Sequence, residues 1–153
     1  MVFARFHESA NWELAAMKAD SIAHLLRRAG QGAEDAFARN VPSMTPRQYA
    51  VLVCLNGQDG LSLIDIVERT GIDHSTVADL VLRMAKKDLL QRRRSRDDVR
   101  AYEVQLTDAG RQAFRSVAPK ARRVDSSILS ALQAEQREPF IAALLAIASL
   151  TTE

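Results

Sequence analysis

Residues 61–111 read LSLIDIVERTGIDHSTVADLVLRMAKKDLLQRRRSRDDVRAYEVQLTDAGR, and this stretch decides the fold. Ser62 sits where a helix cap belongs, ahead of a short helix over Leu63–Arg69 whose Leu63, Ile66 and Val67 face inward. Gly71 supplies a turn. Asp73 then caps a second helix, Asp73–Lys87, in which Val77, Leu80, Val81 and Met84 fall at i, i+3, i+4 and i+7 as one buried stripe. Leu89–Arg94 and Ala101–Leu106 read as strands around the loop 95–98. In the returning strand Tyr102, Val104 and Leu106 alternate with Ala101, Glu103 and Gln105, the pattern of a half-buried strand. Two short helices, a turn and an arginine-crowded hairpin make a winged helix-turn-helix, an arrangement that sets one helix into a DNA groove with a basic hairpin beside it.

The flanks are helical. Upstream, residues from Asn11 to Arg39 carry Leu14, Met17, Ser21, Leu25, Arg28 and Gly32 at helical spacing. Gly30 and Gly32 weaken that helix near its end, and Pro42 stops it. Thr45-Pro46 starts the next helix with a cap and a first-turn proline, Tyr49, Leu52, Val53 and Leu55 give its apolar stripe, and Asn56-Gly57 ends it. Downstream, Thr107 caps a long helix over Asp108–Leu132, which Pro119 is placed to kink. Glu135–Leu150 forms the last helix, where Pro139 is placed to kink or delay the start. Phe140, Ile141, Leu144, Leu145, Ile147 and Leu150 cover more than one face of it, so a partner helix is implied. The fold class expected is mainly α with a small β-wing.

Composition narrows the classes of function. The chain has 153 residues, 47% of them hydrophobic and 26% charged, ordinary values for a soluble globular domain. Aromatic residues are only 5%, so the core is built from Leu, Ile, Val and Ala. The single cysteine, Cys54, forms no internal disulfide and fits a reducing cytoplasm. No apolar run reaches membrane-spanning length, and MVFARFHESANW lacks the apolar core of a secretory signal. No nucleophile–base pair, glycine-rich phosphate loop or metal signature is present, so neither an enzyme nor a cofactor is expected. His7, His24 and His74 lack ligand spacing with one another or with Cys54.

Charge is concentrated. Between Arg83 and Arg100 stand eight basic residues and three acidic ones, a net +5, while the remaining 13 basic and 16 acidic residues give −3. Taken alone, such a run is most simply a solvated face, but on a wing it is the footprint of a polyanion site. In a helix-turn-helix the start of the second helix meets base edges, here His74, Ser75, Thr76 and Asp79, with Arg83 two turns along. Hydroxyls and imidazole donate or accept at bases and phosphates, whereas Thr76 is also placed simply to pack or cap. Arg94 and Arg96 in the hairpin suit phosphates or a narrow minor groove. Asp98 is the carboxylate placed to pair with Arg94 or Arg100.

These motifs carry a resemblance. Leu89-Leu90 leading into the wing, Arg92–Arg94, then Asp98-Val99-Arg100-Ala101, and the run Val104 to Arg111 match the D-x-R-[AS] wing tip and V-x-L-T-x-x-G pattern of MarR-type transcriptional regulators. The order of elements fits from about residue 12 to the end. The resemblance implies one unit over 1–153, with dimerisation helices at 11–39 and 108–151 and a winged DNA-binding region at 45–106. It implies an obligate homodimer on a palindrome of double-stranded DNA, with Arg100 in the minor groove held by Asp98. Such regulators are commonly repressors released by aromatic acids, phenols, CoA thioesters or oxidants bound between the dimer helices and the winged domain. Trp12, His24, Arg27, Arg28 and Tyr49 are the residues that would line such a cleft, with Cys54 nearby. Each has a plain alternative as an interface, surface or packing residue. Cys54 is either an oxidant sensor or, better, a buried structural thiol. The sequence departs from the pattern at Ala78-Asp79, where many relatives carry Thr/Ser-Arg, and at Asp88, where they carry Gly. A winged-helix module that binds protein alone is the competing reading.

Overall fold

The computed structural model describes residues 21–58, 60–94 and 102–150. Among them, six helices and two strands follow in order: α1 (Ile22–Asn40), α2 (Pro46–Leu55), α3 (Leu63–Thr70), α4 (His74–Lys86), β1 (Leu90–Arg94), β2 (Tyr102–Leu106), α5 (Asp108–Leu129) and α6 (Ala134–Ser149). This is the mainly helical architecture with a small antiparallel wing read from the sequence. The chain divides inside α1: residues to Ala36 form one unit and Phe37 onward the other. In the first, α1 runs unbroken through Gly30 and Gly32, and Ile22, Leu25 and Leu26 on it are exposed. The first ten residues of the expected Asn11–Arg39 helix lie outside the described residues.

In the second unit short-range capping chemistry starts each helix of the winged region. Thr45 Oγ1 accepts from the Gln48 backbone N–H while the Thr45 N–H donates to Gln48 Oε1. Ser62 and Asp65 make the same reciprocal pair at α3, and Gly71, at φ +66°, ends that helix in the left-handed conformation glycine adopts without a steric cost. The apolar faces then close on one another. Val51, Leu52 and Leu55 of α2, Ile66 of α3, and Val77, Leu80, Val81 and Met84 of α4 are all buried. So are Leu90, Val104 and Leu106 of the strands and Val117, Ala118, Ala121 and Val124 of α5. Full burial of each Val, Leu, Ile or Met among them contributes about 1.5–3 kcal/mol. Val53, expected in the inward stripe of α2, is 48% exposed instead. The stripe is Gln48, Val51, Leu52 and Leu55, at i, i+3, i+4 and i+7, and Val53 falls on the far side.

The wing pairs Leu90 with Leu106, Arg92 with Val104 and Arg94 with Tyr102. Leu61 bridges the other edge of β2, its N–H donating to Val104 O at 3.0 Å and its carbonyl accepting from Val104 N at 2.7 Å. Tyr102 does not continue the buried alternation, because near the tip the ribbon has left the helices that cover Val104 and Leu106.

Where the ribbon joins the helices, the residues of the V-x-L-T-x-x-G motif act together. Thr107 Oγ1 donates a short bond to Asp88 O and accepts from the Gly110 N–H, while Thr107 N donates to Leu89 O. Gly110 lies so close to the Leu89 carbonyl that a Cβ there would stand 2.0 Å from its oxygen. Asp88 holds φ +57°, so the turn into the wing keeps the left-handed geometry that glycine would supply.

α5 is continuous through Pro119 and ends at Leu129, three residues short of the expected Leu132. α6 starts at Ala134, ahead of Pro139, so the proline does not delay it. Arg137 Nε donates to Leu129 O at 3.1 Å, satisfying a carbonyl at the end of α5. No residue of α6 is buried, and Ile141, Leu144, Leu145 and Ile147 are all at least 40% exposed.

Candidate nucleic-acid interface and an adjoining groove

The start of α4 is organised around Asp73. Its carboxylate accepts from the Ser75 hydroxyl at 2.7 Å and from the Thr76 N–H at 2.9 Å. These bonds, that from Ser75 first, hold the Asp73 carboxyl well below the usual range. Ser75 has thereby spent its one hydrogen, and its outward oxygen is left to accept, from an adenine or cytosine amino group for example. Thr76 is partly buried beside Val77, with its N–H closing the cap, whereas His74 is fully on the outside. One turn on, Asp79 is bound by Arg83 at 2.5 Å, both side chains being more than half exposed. The acid at this position therefore meets a partner cation on its own helix. Leu82 is 51% exposed on the outer side of α4, where the helical period puts it beside Asp79 and Arg83.

The ribbon continues the basic surface. Arg92 lies over the Tyr102 ring, its guanidinium carbon 5.0 Å from the centroid, in cation–π contact. Arg93 stands opposite Glu103, and Arg94 is exposed opposite Tyr102. The stacking of Arg92 follows from register: residues 92 and 102 are diagonal neighbours on one face, a relation visible in the sequence only once the pairing is known. Arg96, Asp98 and Arg100, singled out at the wing tip, lie outside the described residues.

Of the residues read as lining an effector cleft, Trp12 lies outside the described residues. His24, Arg27 and Arg28 sit on α1 within the first unit, His24 half-buried and both arginines exposed. Tyr49, in the second unit, packs between two rings: Phe37 at 5.6 Å and Phe114, nearly parallel, at 6.1 Å. Burial pushes its phenol above the ordinary value, with Asp125 adding and Arg122 opposing.

Tyr49 also lines an open groove of about 380 Å³ between one side of α2 and the end of α3. Pro46, Ala50, Val53 and Cys54 form the α2 wall, and Arg69 and Thr70 the other. Cys54 is thus a half-exposed wall residue, where the sequence reading favoured a buried one. Burial still pushes its thiol upward, against the opposing pull of Arg69. Among the described residues no cluster of metal-ligating side chains occurs, and no helix is long and apolar enough to cross a membrane.

Comparison with known proteins agrees with this geometry. The MarR family model matches residues 44–102, from the start of α2 through the first residue of β2. The chain superposes on BpsR of Bordetella bronchiseptica, whose DNA binding is regulated by 6-hydroxynicotinic acid, with a TM-score of 0.80 and 30% identity. That match covers 84% of this chain and 94% of BpsR. It superposes on the PcaV transcriptional regulator of Streptomyces coelicolor, in complex with its natural ligand, with a TM-score of 0.79 and 31% identity, covering 84% and 92% of the two chains. The transcriptional regulator HosA of Escherichia coli O157:H7 is 28% identical over 118 residues, 77% of this chain and 87% of HosA. A helix-turn-helix with a basic wing, the bolted Thr107–Gly110 junction and these similarities, 84% of the chain for BpsR and PcaV, agree: the chain belongs to the MarR family of transcriptional regulators.

Proposed function

We propose that this protein is a homodimeric repressor that binds a palindromic duplex operator and is released by a small aromatic acid. The observation that carries the DNA part is the outer surface of α4 and the wing. A capped helix presents short side chains (His74, Ser75 and Thr76) ahead of the Asp79–Arg83 pair, and an arginine-lined strand stands beside it. Short side chains let a helix approach base edges closely, and the flanking arginines neutralise phosphates. Arg94 and Arg96 take backbone contacts, and Arg100 enters the minor groove with Asp98 orienting it.

The dimer is supported by α6. A helix with no buried residue and four large aliphatic side chains at least 40% exposed calls for a covering partner, and α1, in the other unit, likewise exposes Ile22, Leu25 and Leu26. The assignment is therefore one unit over 1–153, with 11–39 and 108–151 as dimerisation helices and 45–106 as the DNA-binding region. The effector class follows from the similarity to BpsR, regulated by 6-hydroxynicotinic acid, and to ligand-bound PcaV.

The test is a titration of the protein against the DNA upstream of its own gene at two salt concentrations, with and without aromatic acids. Tight binding that weakens steeply with salt is expected, because each phosphate contact releases counterions. Absence of binding above background at low salt would refute the operator reading and leave a protein-binding winged helix.

A further inference from the structure

We infer that Arg83 reads a guanine in each half-site of the operator and that Asp79 positions its guanidinium to do so. The pair then sets base choice and adds nothing to the general attraction between a basic surface and phosphate. The inference rests on the operator reading above and gives this one arginine a base edge in place of a phosphate. Three observations carry it. First, an acid stands in the middle of the outer face of α4. Ser75, Asp79, Leu82 and Lys86 fall at i, i+4, i+7 and i+11 and are all exposed, opposite the buried stripe of Val77, Leu80, Val81 and Met84. A carboxylate on a face turned to DNA is repelled by the phosphates unless it meets a partner.

Second, that partner is on the same helix. Arg83 Nη2 donates to Asp79 Oδ2 at 2.5 Å, and both side chains are more than half exposed. An exposed ion pair of this kind contributes little to folding, so stability does not account for an acid on this face. What the bond does is fix a long side chain in one place. It engages one guanidinium nitrogen, and the fork has further N–H groups on Nη1 and Nε to donate. With its charge balanced by Asp79, the guanidinium is drawn less to the phosphate backbone, the main competitor for an arginine at DNA.

Third, the donors and acceptors match one kind of base pair. In the major groove a G·C pair presents two acceptors, guanine N7 and O6, and one amino donor, cytosine N4. The Arg83 fork donates to the two acceptors, and the second carboxylate oxygen of Asp79 accepts from an amino group. An A·T pair fails on both counts, because its adenine amino group meets the N–H fork and its thymine O4 faces the carboxylate. One turn earlier Ser75, its hydrogen given to Asp73, offers a further acceptor, so acceptors lead and the donor fork follows along the face.

In the experiment the full chain selects its preferred site from a pool of random duplexes, and each base pair of that site is then replaced in turn. Affinities are read by fluorescence anisotropy at two salt concentrations for the natural protein, Asp79→Ala and Arg83→Lys, both exposed positions whose variants are expected to fold. The natural protein is expected to prefer G·C over A·T about tenfold or more at one position of each half-site. Both variants are expected to lose most of that preference and to keep the preferences at other positions. Asp79→Ala removes a negative charge and is expected to bind random duplex DNA more tightly, with a steeper salt dependence, whereas Arg83→Lys keeps the charge and the natural salt dependence. Unchanged base preferences in both variants would overturn the inference and leave an ordinary surface ion pair. A uniform fall over all sequences in Arg83→Lys would return the arginine to a phosphate, and loss of preference in Arg83→Lys alone would remove Asp79 from the reading. No site selected above random duplex by the natural protein would overturn the operator reading, and this inference with it.

Discussion

Replacing Gly110 by Ala tests whether the wing is bolted to α5 as the geometry indicates. A Cβ at this position would stand 2.0 Å from Leu89 O and 3.0 Å from Leu89 C, both backbone atoms of the turn into β1. A carbon and a carbonyl oxygen settle at about 3.3 Å or more, so the two segments must part by roughly 1.3 Å. That movement strains the bonds that Thr107 makes across the junction, from its N–H to Leu89 O and from its hydroxyl to Asp88 O. Two lost hydrogen bonds cost about 1 kcal/mol each, and forcing atoms into a filled site costs about 1–3 kcal/mol. The gain in helix propensity from Ala returns somewhat under about 1 kcal/mol. The net expectation is a loss of about 3 kcal/mol, roughly a hundredfold in the folding equilibrium. Urea unfolding followed by circular dichroism, at one protein concentration, measures it. Ala109→Gly is the control: it makes the reciprocal change at the exposed neighbouring position and is expected to cost no more than about 1 kcal/mol. A Gly110→Ala protein within about 1 kcal/mol of the natural one would refute the close packing of α5 on the turn, and with it the account of Thr107 and Gly110 as a structural joint.

Four further outcomes are expected. Asp88→Gly relieves a left-handed residue at φ +57° and is expected to stabilise the protein by about 0.5–1 kcal/mol in the same assay; destabilisation would show that the Asp88 side chain supports the turn. Arg100→Ala is expected to weaken operator binding by about 1–3 kcal/mol in a fluorescence-anisotropy titration, and unchanged affinity would remove the wing tip from the mechanism. The Asp73 carboxyl is held below its ordinary value by Ser75 and Thr76, and that of Asp65 by Ser62, so each contributes stability that is fully present above the ordinary aspartate pKa of about 3.9. That contribution is lost as pH falls through the lower folded value; Asp73→Asn keeps a capping oxygen without the titration, so its acid unfolding is expected to be shallower, and an unchanged acid limb would contradict the cap's charged character. Cys54→Ser is expected to leave DNA binding unaltered by peroxide to the same degree as in the natural protein, because burial raises the thiol and keeps little of it as thiolate; loss of a peroxide response in the variant would make Cys54 a sensor.

Local rules made most of the winged unit legible in advance. Thr45, Ser62, Asp73 and Thr107 each stand at a helix start with their capping partner three residues on, so the sequence carries these boundaries whatever the rest of the chain does. The stripe of α4 is likewise readable, because Val77, Leu80, Val81 and Met84 obey one period and all prove buried. Where the reading slipped, the cause was a choice of face. Val53 is as apolar as Val51, and only the packing of α2 on α3 and α5 decides which valine is covered.

The element order, the capped starts of the helices in the winged unit and the basic character of the ribbon were legible in short stretches of chain, since each depends on residues within a few positions of one another. Tertiary structure decided what depends on distant segments meeting. Arg92 finds Tyr102 only through the strand register, and Gly110 is required only because Leu89, 21 positions earlier, lies against it. Arg69 and Val53 come to line one groove only because the end of α3 packs beside α2. Hydrogen-bonded caps and helical periods are short-range and are written in the chain. A groove is the space left between elements after they pack, and no single stretch of sequence encodes it.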